Sequence, residues 1–299
     1  MEKIAYGGWA NCVRLANDTI EVIVTLDVGP RIMRFGFIGQ DNELKEIDQD
    51  LGQTGSHVHR FYGGHRLWHA PEEPVRTYWP DNAPVNVSPL PDGVRLTQPV
   101  EAATGLQKEI DLHLAPAAAR VTVIHRLKNT NLWSVEFAPW ALTMFAPGGI
   151  AILPLPPRGS HVGNLQPTAV LALWAYTDLS DPRWTWGQKY IWLKQDPARS
   201  TPQKIGASLP DGWLAYARSN HLFIKQFAYD AAAVYPDRGC NAEVFTNGEM
   251  LELETLGPLV RVEPGRAVTH SEVWQLFDDV PLPATEAAVE RHVLPRLWR

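Results

Sequence analysis

The sequence predicts an all-β protein, a large antiparallel β-sandwich of two broad sheets packed face to face. Three observations predict it. Strand-like runs recur along the chain, roughly fifteen or more of them, many bounded by Gly, Pro, Asn or Asp. The regular crossover helices that a parallel α/β sheet requires are missing. No blade-length repeat marks a propeller, and a seven-strand immunoglobulin-type sandwich is too small for 299 residues. No linker divides the chain, so one β domain is expected over residues 1–299.

In chain order, Val13 and Leu15, the run Ile20–Leu26 and the run Arg31–Phe37 read as a meander, broken by Asn17-Asp18 and Gly29-Pro30. Residues 39–60 are polar, with a short strand expected at Leu44–Ile47. His57 and His59 lie two apart; on a strand they would share a face, which raises metal binding, although no suitably spaced glutamate follows. Residues 71–93 read as a long connection rich in Pro, Asp and Asn. Val94–Thr97, Leu106–Leu114 and Arg120–Lys128 alternate in the strand manner, and Leu132–Phe145 is a further β run. Pro154–Pro167 is a loop, Ala169–Tyr176 and Tyr190–Lys194 are strands, and Trp184 and Trp186 sit in an excursion between them. Trp213–Arg218 and Leu222–Tyr229 form a hairpin through Ser219-Asn220. Ala242–Thr246, Met250–Leu256, Leu259–Val262 and Ala267–Phe277 complete the strands. Only the tail, residues 284–292 between Pro283 and Pro295, reads as a helix.

Composition narrows the function classes. The formal charge of -6 and the lack of a long basic run argue against nucleic acid as a partner. No run is apolar and long enough to span a membrane, and Met1–Trp9 holds no continuous apolar signal core; cytoplasmic residence is the expectation. Self-association as a homo-oligomer stays open. Cys12 and Cys240 form neither a disulfide framework nor a zinc spacing and are expected to be free and buried. Twelve Trp is a high count, and the sequence does not divide them between core packing and stacking on the C–H face of a sugar.

Two stretches concentrate chemistry. In Phe61–Glu72 a Gly63-Gly64 pair leads into Arg66, Trp68, His69 and Glu72: a fixed cation, an indole face, an imidazole and a carboxylate. The plain alternative is a loop whose Trp plugs the core. In Leu251–Thr255 alternation puts Glu252 and Glu254 on one side of a strand and both leucines on the other. Two solvated glutamates is one reading. Two carboxylates aimed into a cleft, in different protonation states, is the other. His125 alternates with Val121 and Val123 and reads as a packed histidine. No nucleophile elbow, P-loop or dinucleotide fingerprint occurs.

Taken together, the β pattern, Gly63-Gly64-His65-Arg66-Leu67-Trp68 and Leu251-Glu252-Leu253-Glu254-Thr255 resemble the galactose-mutarotase-like proteins, the aldose 1-epimerase superfamily, over most of residues 12–278. The chain is nearer to divergent branches than to the mutarotases proper. The resemblance implies a large β supersandwich that binds a sugar in a cleft over one sheet. It implies anomer interconversion without a metal or other cofactor. A glutamate would be the base, a histidine the acid at the ring oxygen, and an arginine the group that orients the sugar. By motif position Glu254 corresponds to the base and Arg66 to the arginine. The segment Val135–Ala141 resembles the one that carries the acid histidine, but Trp140 stands at about that position. Indole has only an N–H donor and cannot be a general acid near neutral pH. Either another histidine takes the role, His69 first among them, or the chain does not perform the classical mutarotation.

On this reading Glu254 takes the anomeric hydroxyl proton while His69 protonates the ring oxygen, the ring opens, and it closes on the other face. Arg66 holds a hydroxyl or carboxylate; Trp68, Tyr78 and Trp140 stack on the sugar, and Glu72 and Glu252 supply further contacts. The expected partner is a small-molecule carbohydrate. A noncatalytic sugar-binding or regulatory protein, and a protein associated with glycan hydrolases or lyases, are the competing readings.

Overall fold

Alternating burial organises the chain. Along Arg120–Asn129 every second side chain is buried, because one pleat face meets a core and the other does not. The computed structural model describes residues 1–297. Nearly all regular structure in it is antiparallel strand, in two sheets of eleven and ten strands. The larger sheet runs outward from the Glu2–Tyr6 hairpin through Arg31–Phe37, His65–Ala70, Val135–Phe145, Leu251–Leu256, Ala242–Thr246 and Gln203–Ala207 to an edge at Leu171–Leu173. The smaller sheet places His221–Phe227, Ala267–Phe277, Arg120–Asn129 and Leu106–Leu114 side by side at its centre.

Between the sheets lies a continuous apolar core. Phe35, Phe223 and Trp274 meet edge to face at 5.6–5.8 Å and join the two layers. Truncating any one of them to Ala would cost about 3–5 kcal/mol. The hairpin at Ser219-Asn220 forms with both residues left-handed, at φ 51 and 62, the geometry that a two-residue turn between twisted strands demands. Thr285 caps the tail helix Glu286–His292 by accepting from the Ala288 N–H. No helix among the described residues is long and apolar enough to cross a membrane.

A polar network also sits between the sheets. The Lys225 ammonium lies 3.0 Å from Glu272, both side chains fully buried, and donates to Thr143 Oγ1 at 2.6 Å. His65 Nδ1 meets Thr143 Oγ1 at 2.8 Å, His65 Nε2 meets His125 Nε2 at 2.7 Å, and His125 Nδ1 meets the His270 carbonyl at 3.0 Å. A carbonyl only accepts, so His125 carries its proton on Nδ1 and accepts on Nε2. His65 must then donate from Nε2 and accept from Thr143. The donors run one way, Lys225 to Thr143 to His65 to His125 to the main chain. Burial holds both imidazoles below the usual histidine range, in keeping with neutral rings.

Several elements differ from the expectations above. His57 and His59 lie in a loop and not on a strand, so the shared-face premise of a metal pair fails. Leu44 and Glu46 make only isolated bridges, to Phe145 and Gly63. Asn86–Leu90 is a strand inside the stretch read as a connection, and Glu2–Tyr6, Trp184–Trp186 and Gln203–Ala207 are strands that the alternation did not mark. Cys12 and Cys240 are free and buried.

Candidate functional site

The outer face of the larger sheet carries the site. In His65–Ala70 the side chains alternate: His65 and Leu67 face the second sheet, while Arg66, Trp68 and Ala70 face outward. Register does the rest. Arg66 pairs with Leu142, Leu142 with Glu254, and Glu254 with Glu243, one row across four strands. Met144, Glu252, Phe245 and Lys204 form the next row. Trp68, Trp140 and Leu256 form a third. Two glycines start the His65–Ala70 strand where it must. Gly63 and Gly64 have φ of 96 and 69, and a Cβ on either would stand 2.1 Å from a backbone carbonyl oxygen, of Lys45 or Ile32.

A cavity of about 320 Å³ opens over this face. Arg66, Trp68, Glu72, Tyr78, Trp140, Glu252 and Glu254 all line it. Its size lies at the lower end of small-molecule sites, about 300–1,000 Å³. His69 is not among its walls. It follows Trp68 by one residue and so points inward, 2% exposed, with its ring 6.2 Å from Phe137. Burial lowers its imidazole to about 4, so it is neutral at physiological pH. The expected acid at His69 is thus on the wrong side of the sheet, and the cause is strand parity.

Glu254 lies on the cavity floor, fully buried. Its Oε2 accepts from Trp140 Nε1 at 2.9 Å and from Lys204 Nζ at 3.0 Å, while Oε1 has no partner. Trp140, at the position expected for a histidine, therefore orients the carboxylate. Lys204 also lies 2.7 Å from Glu243 and over the Trp140 and Trp174 rings at 4.9 and 4.6 Å. Its contact with Glu243 is ionic, because neither Glu243 oxygen completes a directed hydrogen bond. Burial alone would lower the Lys204 ammonium; Glu243 and Glu254 more than offset that and hold it well above its usual range. One ammonium between two buried carboxylates leaves negative charge in excess. The Glu243 carboxyl is accordingly pushed well up by burial, against the pull of Lys204.

Beside them, Arg66 donates to Glu252 Oε1 at 3.0 Å and lies 4.2 Å over the Trp68 ring. Burial raises the Glu252 carboxyl, Arg66 opposes the rise, and Glu254 adds to it. At the rim the Tyr78 hydroxyl donates to Glu72, and burial together with Glu72 keeps that hydroxyl protonated. Tyr78 meets Trp68 edge-on at 5.0 Å, and Trp68 meets Trp140 at 5.4 Å. The result is an aromatic wall over a carboxylate pair with one guanidinium and one ammonium. Such a site suits a polar ring with an apolar face.

Lys204 is the buried cavity cation that the sequence does not mark: it stands in Gln203–Ala207, and only cross-strand register places it beside Glu254. His65, His125 and Glu272, whose ligand atoms lie within 4.8 Å of one another, are the described group that meets the geometry of a metal site. Lys225 puts an ammonium 3.0 Å from Glu272, and both imidazoles spend their facing nitrogens on each other, so these residues fit the structural network and not a cation.

No family model matches the chain, and no curated protein matches it. Solved structures do. A galactose mutarotase-like protein from Lactobacillus casei ATCC 334 superposes with a TM-score of 0.58 at 10% identity, over 89% of this chain and 100% of that one. A galactose mutarotase-like protein from Clostridium acetobutylicum gives 0.58 at 9%, over 93% and 98%. A TPR-domain containing protein from Parabacteroides distasonis ATCC 8503 gives 0.60 at 14%, over 92% of this chain and 49% of that one. At such identities the likeness establishes a shared fold, the mutarotase-like β-sandwich.

Proposed function

We propose that the cavity binds a sugar ring and that Glu254 and Glu252 catalyse its anomerisation, an aldose 1-epimerase-like reaction. The observation that carries this reading is the free Oε1 of Glu254. It is a buried carboxylate oxygen on the cavity floor, its twin fixed by Trp140 and Lys204, with an open lone pair for a hydroxyl proton. Glu252, on the same strand face two residues away, supplies the acid, since its raised carboxyl favours the protonated form.

The steps balance without a cofactor. Glu254 takes the proton of the anomeric hydroxyl as Glu252 gives one to the ring oxygen. The C1–O5 bond breaks, leaving an aldehyde and a chain hydroxyl. Rotation about C1–C2 presents the other carbonyl face. The chain hydroxyl then adds to C1 as Glu252 recovers its proton and Glu254 returns the other. Arg66 orients a ring hydroxyl and fixes Glu252, and Trp68, Tyr78 and Trp140 stack on the C–H face.

The test is proton NMR of fresh α-glucose and α-galactose. The wild type should speed equilibration, and Glu254→Gln should reduce the enzymatic rate about 10²–10⁴-fold. Equal rates for the wild type and the variant would defeat the catalytic reading. A second reading, a noncatalytic sugar-binding protein, is favoured by the absence of histidine among the described residues lining the cavity. It requires that calorimetry detect binding while no rate above the variant is found.

A further inference from the structure

A second chamber of about 380 Å³ adjoins the first. It shares Glu72, Tyr78 and Trp140 with the first cavity and adds Pro71, Pro74, Trp174 and Asp237. Glu72 is exposed and Tyr78 half-buried, so the two chambers meet at the rim and share the buried Trp140. The new chamber repeats the chemistry of the first: aromatic side chains of Tyr78, Trp140 and Trp174 with the carboxyl groups of Glu72 and Asp237. Flat apolar walls with a few acceptors suit the C–H face and the hydroxyl edge of a second ring.

Two further features indicate a built site and not a gap under a loop. Lys204 Nζ stands over the Trp174 ring at 4.6 Å and over Trp140 at 4.9 Å, so one buried ammonium fixes the platforms of both chambers and the Glu254 carboxylate. Asp237 is presented from a turn whose residues Asp237 and Arg238 both adopt left-handed backbone, at φ 48 and 66. Non-glycine residues in that region are sparsely populated and gather at ligand sites. Asp237, the first of the two, lines the chamber.

We propose that this chamber is a second sugar subsite and that the ligand is a reducing oligosaccharide. Its reducing ring lies over Glu254 and the next ring lies against Trp174 and Asp237. The proposal rests on the sugar-binding reading of the first cavity. The glycosidic bond is not cleaved; it passes the rim between Glu72 and Trp140. The reaction class that supplies such a ligand is glycoside hydrolysis, which releases each new reducing end as a single anomer.

Isothermal titration with glucose and galactose, and with the reducing disaccharides cellobiose and lactose, tests it. A disaccharide should bind at least about tenfold more tightly than either monosaccharide. Trp174→Ala and Asp237→Asn should each shrink that ratio to within about threefold. Asp237→Asn keeps the side chain's size and shape, which keeps the test valid if the Trp174 variant fails to fold. A monosaccharide that binds with no gain for either disaccharide would overturn the second subsite alone. So would a gain that survives both substitutions. Binding of none of the four sugars would overturn the sugar reading itself, and this proposal with it.

Discussion

Replacing Lys204 with Met tests the charge arrangement under the cavity. The ammonium is 2.7 Å from Glu243 and 3.0 Å from Glu254, and all three side chains are buried. Removing one member of a buried ionic cluster costs about 3–5 kcal/mol. The pH dependence can be worked separately. Without Lys204, the Glu243 carboxyl, already raised by burial, loses the charge that opposes the rise and is neutral in the fold. Protonating a glutamate of ordinary pKa about 4.3 costs about 1.4 kcal/mol per pH unit above that value, thus about 5 kcal/mol at pH 8 and about 1 kcal/mol at pH 5. The sign follows from linkage. The Glu243 carboxyl is raised in the fold, so the stability it contributes is full below about pH 4 and is lost as pH rises through the folded value. For 299 residues the entropy of unfolding is about 0.6 kcal/mol/K, so a loss of 3–5 kcal/mol lowers Tm by about 5–8 °C. Urea denaturation at both pH values measures this, and Lys204→Met with Glu243→Gln should recover most of the pH 8 loss. A loss under about 1 kcal/mol at pH 8, or one no smaller at pH 5, would refute the reasoning.

Other outcomes can be stated briefly. Arg31 donates to the Phe61 and Gly63 carbonyls and to Asp81 at 2.7, 2.8 and 3.0 Å, so Arg31→Lys should lose about 3 kcal/mol in a denaturant titration, because an ammonium cannot span three acceptors set for a planar fork. Gly64→Ala should lower stability by more than about 3 kcal/mol by thermal melt, since its Cβ meets the Ile32 carbonyl at 2.1 Å with φ at 69. If Glu252 is the acid, the rate falls as pH rises through its raised pKa, and Glu252→Gln should abolish that alkaline limb in a pH–rate profile. Asp81, Asp111 and Glu272 all have carboxyls held below their usual range, against the opposing effect of burial, by Arg31, by Arg95 and Arg126, and by Lys225 respectively. The stability they contribute is present above about pH 4 and lost as pH falls through their folded values, so circular dichroism should report an acid transition below pH 4.

Much of this was legible in the chain. Period-two alternation marked Arg120–Asn129 and Leu251–Leu256, and the same rule put Glu252 and Glu254 on one face. Applied to His65–Ala70, it separates His69 from Arg66 and Trp68, a parity that the resemblance at Trp140 does not carry. Lys204 was not legible because a strand lysine ordinarily faces water, and only cross-strand register brings it beside Glu254. Gln203–Ala207 escaped notice as a strand because Lys204 and Gly206 interrupt its apolar pattern. The donor chain behind the site depends on residues from five strands, which no local pattern joins.

That chain, from Lys225 through Thr143, His65 and His125 to the His270 carbonyl, has a mechanical consequence. It works like a lock with a single key. A slip of either sheet by one residue would part these contacts and leave buried donors and acceptors unpaired. Grease alone tolerates sliding; this row does not. The surface above inherits that stiffness, because Thr143 lies between Leu142 and Met144, and His65 stands next to Arg66. Residues 66, 142 and 144 are thereby held from below, before any ligand arrives to hold them from above.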